Sequence, residues 1–362
     1  ALLADVRRTM ALLGIPSTLE TGGIRVDSVM SFVGRLLSRL GLIPEGEDLI
    51  DAYEDASRAL RAMLADGSLD AQDLRELLER DPELFGYDYV MVDEAQDWPE
   101  PEIEIICKLF EPRSIAIADG QDQLARGRYT DWRASLAPPK PHVEPLRRSL
   151  RMKDNLARFA NAFAQGLGLA SWEVEPSQEA PGGRVIVLEG SYLDHADLHE
   201  AIGSAAALGD AQPIDVLFCV PPSQVVEDDS GGRESTVAAW LRNRGEEVWD
   251  GASHDVRRDI PRSEREYRVV QYQSCRGLEG WLVICLGLDE LYDLKLDEVR
   301  HGADYGESLE TAAAVYAGLW TMIPMCRPMD TIVICLSGKG GPVRYALDAA
   351  RRALPDVVEW RE

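Results

Sequence analysis

The chain reads as an α/β protein built from two parallel-sheet domains, and three observations carry that reading. Seven short runs are rich in apolar and β-branched residues: Tyr89–Val92, Ser114–Ala118, Val185–Leu188, Ile214–Val220, Tyr267–Tyr272, Leu282–Leu286 and Thr331–Leu336. Such runs, apolar at nearly every position, suit strands buried on both faces, as parallel strands are. Helical patterns lie between many of them, at Glu102–Phe110, Lys153–Leu167, Ser235–Asn243, Leu309–Trp320 and Val343–Leu354. Alternation of strand and helix is the pattern of a parallel sheet with covering helices. Finally, 362 residues, 45% of them hydrophobic, suffice for two cores.

Taken in order, the chain opens with a helix-like segment, Ala1–Arg8. Residues 35–85 are acidic and helical in pattern, with Asp66-Gly-Ser68 as a turn, and are expected to form a small helical insertion before the first strand. The first two strands follow. Ala137-Pro-Pro-Lys-Pro141 is the best linker, so the domains are expected at 1–140 and 141–362. The remaining strands and helices fall in the second domain, where Glu227–Gly232 reads as a loop. No internal repeat is present.

The formal charge is −25. Residues 1–145 carry 15 basic and 28 acidic side chains, and residues 146–362 carry 23 and 35. Neither half is a basic nucleic-acid coat, so any nucleic-acid contact must be a local groove with strong salt dependence. No apolar run approaches the ~18 residues of a membrane span. The six cysteines form no Cys-x-x-Cys pair, and Cys107, Cys219, Cys285 and Cys335 sit in apolar runs as small core residues. This usage fits a reducing cytoplasm. His195 and His199 share a helix face without further convincing metal ligands.

The most informative stretch is Tyr87-Asp-Tyr-Val-Met-Val-Asp-Glu-Ala-Gln-Asp97. A strand ends there in two acids, Asp93 and Glu94. Acids at the carboxyl end of a buried strand stand where open α/β sheets bind ligands. Two together suit nucleotide hydrolysis, one holding Mg²⁺ and the other orienting the attacking water. The string Asp-Glu-Ala-Gln-Asp resembles the second motif of UvrD/Rep-like superfamily 1 DNA helicases.

Further segments resemble the same family, in family order. Ala118-Asp-Gly-Gln-Asp-Gln123 is similar to its strand ending in Gly-Asp-x-x-Gln. The resemblance makes Gln123 the γ-phosphate sensor, with Gln121 as the alternative, because one residue is extra. Base-stacking aromatics usually follow this motif; Tyr129 and Trp132 are the nearest, although a gapless alignment puts Arg126 and Arg128 there. Leu146–Asn161 resembles the fourth motif, with Arg151, Asn155 and Asn161 in register. Arg151 is thereby expected at the γ-phosphate, a role that suits a permanently charged, forked guanidinium.

Val269–Cys285 resembles the fifth motif, a strand, an (Lys/Arg)-Gly-Leu-Glu turn and another strand, matched by Arg276, Gly277, Leu278 and Glu279. Gly277 permits close backbone approach to a ligand. Glu279 is expected at the ribose or at a γ-phosphate partner, and Arg276 beside DNA. Trp320–Ile334 resembles the sixth motif, whose arginine finger aligns with Arg327. Cys326 and Pro328 replace its Thr and Ala, and Pro328 is expected to bend the helix. Val26–Phe32 is similar to a DNA-contacting segment, which makes Ser31 and Phe32 candidate DNA contacts, with Asp27 and Met30 as departures.

The resemblance implies two RecA-like domains of the P-loop NTPase type. It implies ATP and Mg²⁺ as cofactors, with Gln96 coupling nucleotide state to domain closure. It also implies single-stranded DNA as partner, translocated 3′→5′, and a cytoplasmic protein. No Gly-x-x-x-x-Gly-Lys-(Ser/Thr) phosphate loop occurs anywhere; Ser337-Gly-Lys-Gly-Gly341 lacks the upstream Gly and reads as a strand–helix turn. The chain is therefore expected to be either a fragment of a longer helicase, unable to hydrolyse ATP alone, or a degenerate, non-enzymatic module that binds DNA or a protein partner. The non-Met start favours the fragment. Only about 110 residues separate the fourth and fifth motifs, which implies a compact translocase without a large second accessory domain, while a fused domain remains compatible.

Overall fold

The computed structural model describes the chain except residues 1, 18–21, 45, 83–85, 99, 120–131, 133–135, 137–141, 146–147, 228–231, 254–255, 257–260, 301–306 and 362. Two compact units result, Leu3–Glu144 and Pro145–Glu362. The division falls four residues beyond the boundary expected from the Pro-rich stretch.

In the first unit, α1 (Leu2–Leu12), α2 (Val29–Arg39), α3 (Leu49–Asp66) and α4 (Ala71–Arg80) precede β1 (Val90–Val92), α5 (Glu100–Leu109) and β2 (Ile115–Ile117). Two of the helix starts have a clear local cause. The Ser28 side chain accepts the Ser31 N–H at the head of α2, and Asp70 and Asp73 form a reciprocal capping box at α4. The helical stretch is thus α2–α4, and it begins before the position expected. β1 and β2 pair in parallel, Val90 opposite Ile115 and Val92 opposite Ile117. Their inner residues join a core with Leu36, Leu60, Leu74, Ile103, Ile106 and Trp132. Tyr89 and Met91 stand on the exposed outer face.

The second unit contains α6 (Asp154–Gly166), β3 (Arg184–Glu189), α7 (Ala196–Leu208), β4 (Val216–Val220), β5 (Val225–Glu227), β6 (Arg233–Ser235), α8 (Thr236–Asn243), β7 (Glu247–Asp250), β8 (Glu266–Gln271), β9 (Gly280–Cys285), α9 (Leu288–Arg300), α10 (Glu307–Met325), β10 (Pro328–Leu336), α11 (Pro342–Ala353) and β11 (Val358–Arg361). Seven strands form one sheet in the order β11-β3-β10-β9-β4-β8-β7. Every pairing in it is parallel. Burial of β4 at all five positions explains why its sequence is apolar throughout rather than alternating. The α/β class follows directly. Sequence reading misses the edge strands β7 and β11, which carry Glu247, Asp250, Glu359 and Arg361 among their few apolar residues. It also misses the antiparallel pair β5–β6, three residues each.

One connection shapes the unit. β8 and β9 both flank β4 and run the same way. The eight residues between them must therefore return from the carboxyl end of β8 to the amino end of β9, a span within reach of an extended chain at ~3.3 Å per residue. Tyr272 and Cys275 are buried along this path, and the Tyr272 hydroxyl donates to the Leu286 carbonyl at 2.8 Å. Arg276–Glu279 consequently arrive at the amino edge of the sheet. Among the described residues, no helix is long and apolar enough to cross a membrane.

Candidate functional site

In the first unit, the backbone turns sharply after β1. Glu94 is left-handed, at φ 50° and ψ 43°. A non-glycine residue there costs roughly 1–2 kcal/mol, a strain typical of functional positions. The turn is tied to β2: the Ala118 N–H donates to Val92 O at 2.8 Å and the Ala95 N–H to Ala118 O at 3.0 Å. Asp93 is exposed, and its Oδ1 accepts the Glu94 N–H at 3.0 Å. Gln96 is fully buried, and its Nε2 donates to Glu94 Oε2 at 2.6 Å. The result is one exposed carboxylate, held by the Glu94 N–H, beside a second that a buried amide orients.

The Trp132 indole is buried rather than presented to solvent. It is 2% exposed, its Nε1 donates to the Ala95 carbonyl at 2.8 Å, and its ring meets Trp98 edge-on at 5.5 Å. An indole in a core that needs a donor for a turn carbonyl serves packing better than solvent-side recognition. Phe32 is likewise half-buried, with ring centroids 6.2 Å from Tyr87 and 6.3 Å from Phe110. Ser31 remains exposed beside the Ser28 hydroxyl. Gln121, Gln123, Arg126, Arg128 and Tyr129 lie outside the described residues.

In the second unit, the three segments singled out in sequence meet at the amino edge of the sheet. Arg151 Nε lies 2.8 Å from Glu279 Oε1, and Arg151 Nη1 donates to the Cys326 carbonyl at 3.2 Å. The Gly280 N–H donates to Arg327 O at 3.2 Å, joining the turn after Glu279 to the segment after α10. Lys153 pairs with Asp330, its N–H donates to Met329 O at 3.2 Å, and its ammonium stands 5.1 Å over the Trp281 ring. Gly277 makes the turn possible with φ 75°, a conformation in which a Cβ is strained. Arg276 is half-buried in the same turn.

Arg327 lies inside the second unit. It is 4% exposed and its Nε donates to the Ile323 carbonyl at 3.0 Å. The guanidinium folds back on the last turn of the preceding helix, α10. Pro328 is not the cause through helix bending. The helix already ends at Met325, the proline within it is Pro324, and Pro328 opens β10, a strand position that tolerates a missing N–H. Burial pushes the Cys326 thiol up, against the opposing pull of Arg327 and Arg151. Both guanidiniums therefore lie within electrostatic reach of one side chain.

Two other motif residues are structural. Asn155 Nδ2 donates to Gly183 O at 3.1 Å. Asn161 exchanges two hydrogen bonds with the Val174 backbone, at 2.8 and 2.9 Å. The Ser337–Gly341 loop does join a strand to a helix. Two of its amides are taken by the chain itself: Asp289 accepts the Ser337 N–H at 3.0 Å and the Gly338 N–H at 2.6 Å. Sequence inspection gave no hint of Asp289, nor of Lys153 and Asp330 as a clasp, because neither pairing is local.

The donor sets fit their expected groups in kind: carboxylate oxygens at 93–94 for Mg²⁺, guanidiniums at 151 and 327 for phosphate. Among the described residues no cluster of three or more His, Cys, Asp or Glu makes a preformed metal cage. No family model and no curated protein matches the chain.

Proposed function

We propose that this chain is the core of a UvrD/Rep-like superfamily 1 helicase or translocase, two RecA-like domains that couple ATP and Mg²⁺ to movement along single-stranded DNA, 3′→5′. One observation carries this reading: Arg151, Glu279 and Cys326-Arg327, drawn from three distant segments, converge on one corner. A set of charged residues gathered from such distances suits recognition of a polyanion better than it suits fold stability, since partly exposed ion pairs contribute little.

In this reading Asp93 holds Mg²⁺, and Glu94, aimed by Gln96, orients water. Gln96 also relays nucleotide state into the first core. Arg151 exchanges Glu279 for phosphate oxygens, and Glu279 is then free for the ribose. Arg327 contributes once Ile323 releases it. Gln123 keeps its place as the proposed γ-phosphate sensor. The absent phosphate loop means that the chain alone does not turn over ATP at a helicase-like rate.

The non-enzymatic alternative, a DNA- or protein-binding module, draws on the buried Arg327 guanidinium. The deciding experiment places a phosphate-loop segment ahead of residue 1 and measures DNA-stimulated ATP hydrolysis. Turnover near ~1 s⁻¹ or above is expected, abolished by Glu94→Gln with ATP binding retained. DNA binding that ignores nucleotide, with no turnover, establishes the alternative instead.

A further inference from the structure

One charged residue in the second unit stands where the strand pattern calls for an apolar one. β8 is buried at its four central positions, Tyr267, Arg268, Val269 and Val270, and Arg268 is 9% exposed. It lies opposite Leu217 of β4 on one side and Trp249 of β7 on the other. A guanidinium so placed is costly unless its donors are used. Arg268 Nη2 donates to the carbonyl of Glu279 at 2.5 Å. Nothing in the sequence singles out Arg268, because this acceptor lies 11 residues on, beyond the return turn.

The reach is across a strand. β4 stands between β8 and β9, and neighbouring strands lie ~4.8 Å apart. Gly280 presses against that intervening strand: a Cβ there would sit 3.1 Å from Asp215 O and 3.2 Å from Leu217 Cβ. A side chain that starts on β8 and ends on the residue before β9 must pass over β4, which takes the length of an arginine. Three contacts then fix the peptide of residues 279–280. Arg268 holds the Glu279 carbonyl, Arg151 Nε lies 2.8 Å from the Glu279 carboxylate, and the Gly280 N–H donates to Arg327 O at 3.2 Å. The Arg151–Glu279 pair is partly exposed on both sides and holds little by itself. The Arg268 contact comes from inside the sheet, between paired strands.

We propose that Arg268 is the positioning residue of this corner: it fixes the Glu279 backbone and thereby sets where the Glu279 carboxylate meets Arg151. It acts through Glu279 and touches no ligand. Its effect on ATP turnover rests on the helicase reading; its effect on the Arg151–Glu279 geometry does not.

The test uses Arg268→Met and Arg268→Lys in the full chain, each checked by thermal melting. Methionine keeps an unbranched apolar stem in the buried strand, and exchange of a buried ion for an apolar residue of similar size is often neutral for stability. Lysine keeps the charge and a donor. The readout is the nitrogen–proton resonance of Arg151 Nε, assigned with Arg151→Lys, and its rate of exchange with water. Glu279→Gln gives the value for a broken pair.

Arg268→Met is expected to melt close to wild type, to move the Arg151 resonance most of the way to the Glu279→Gln value, and to speed its exchange several-fold. Arg268→Lys is expected to return it towards wild type. In the polypeptide that carries a phosphate loop, Arg268→Met is expected to lower kcat ~10-fold or more at little change in KM, as misplaced groups do. No turnover by the wild-type form of that polypeptide, with the resonance shifts as stated, counts against the helicase reading and upholds the role of Arg268. An Arg151 resonance that Arg268→Met leaves at its wild-type position overturns the proposal. So does an unfolded Arg268→Met beside a folded Arg268→Lys whose Arg151 resonance matches wild type, since that is the behaviour of a structural cation.

Discussion

Arg151 and Glu279 form a 2.8 Å ion pair at the amino edge of the seven-stranded sheet, and the same guanidinium holds the Cys326 carbonyl. Both side chains are partly exposed, so the pair is a contact that can be exchanged for a ligand at small cost. Glu279→Gln is expected to change unfolding free energy by less than ~1 kcal/mol in urea titrations. Arg151→Ala, in the polypeptide that carries a phosphate loop, is expected to lower ATP turnover by ~10²-fold or more. A large stability loss with unaltered turnover would show Arg151 to be a structural clasp.

Gly277 sits at φ 75° in the turn that delivers Glu279. Gly277→Ala is expected to destabilise the second unit by about 1 kcal/mol, the cost of a left-handed alanine. Denaturant midpoints at constant slope measure it. An unchanged midpoint means that the turn relaxes into another conformation.

Trp132 is expected to matter for folding rather than for DNA. Trp132→Ala should cost about 3–5 kcal/mol, the range for a buried aromatic truncated in a core. Trp132→Phe should cost less, keeping most of the packing but leaving the Ala95 carbonyl without its indole donor. Oligonucleotide affinity of the folded Phe variant should equal that of wild type. A drop in affinity at unchanged stability would restore the stacking role.

His199 predicts a pH dependence. It is 5% exposed among Tyr192, Phe218, Trp240 and Tyr267, and its Nδ1 lies 3.0 Å from the Tyr192 hydroxyl. Burial, helped by Arg244 and opposed by Glu200, lowers its pKa to about 4. The unfolded chain, with an ordinary value near ~6.5, binds the proton first as pH falls. Stability is therefore full above ~6.5 and is lost progressively as pH falls towards 4, by up to about 3 kcal/mol. Chemical denaturation at pH 7 and pH 5, with His199→Gln as reference, tests this. Equal losses in both proteins assign the acid sensitivity to other groups.

Local chemistry was legible in the chain as written. Continuous apolar runs such as Val216–Val220 announced buried parallel strands, and Asp93-Glu94 announced a strand ending in paired acids, because both signals depend only on neighbours in sequence. Edge strands stayed hidden, since β7 and β11 mix charges with single apolar residues, as strands half-open to water do. What tertiary structure decided was which side chains face whom. Arg327 and Trp132 look alike in sequence as functional candidates, yet one folds back on Ile323 and the other fills a core. The Arg151–Glu279–Cys326 corner exists only because β8 and β9 flank β4 in parallel, which forces the intervening turn to the amino edge of the sheet. Pairings between distant segments follow from strand order and crossover direction, and no local pattern of residues encodes those.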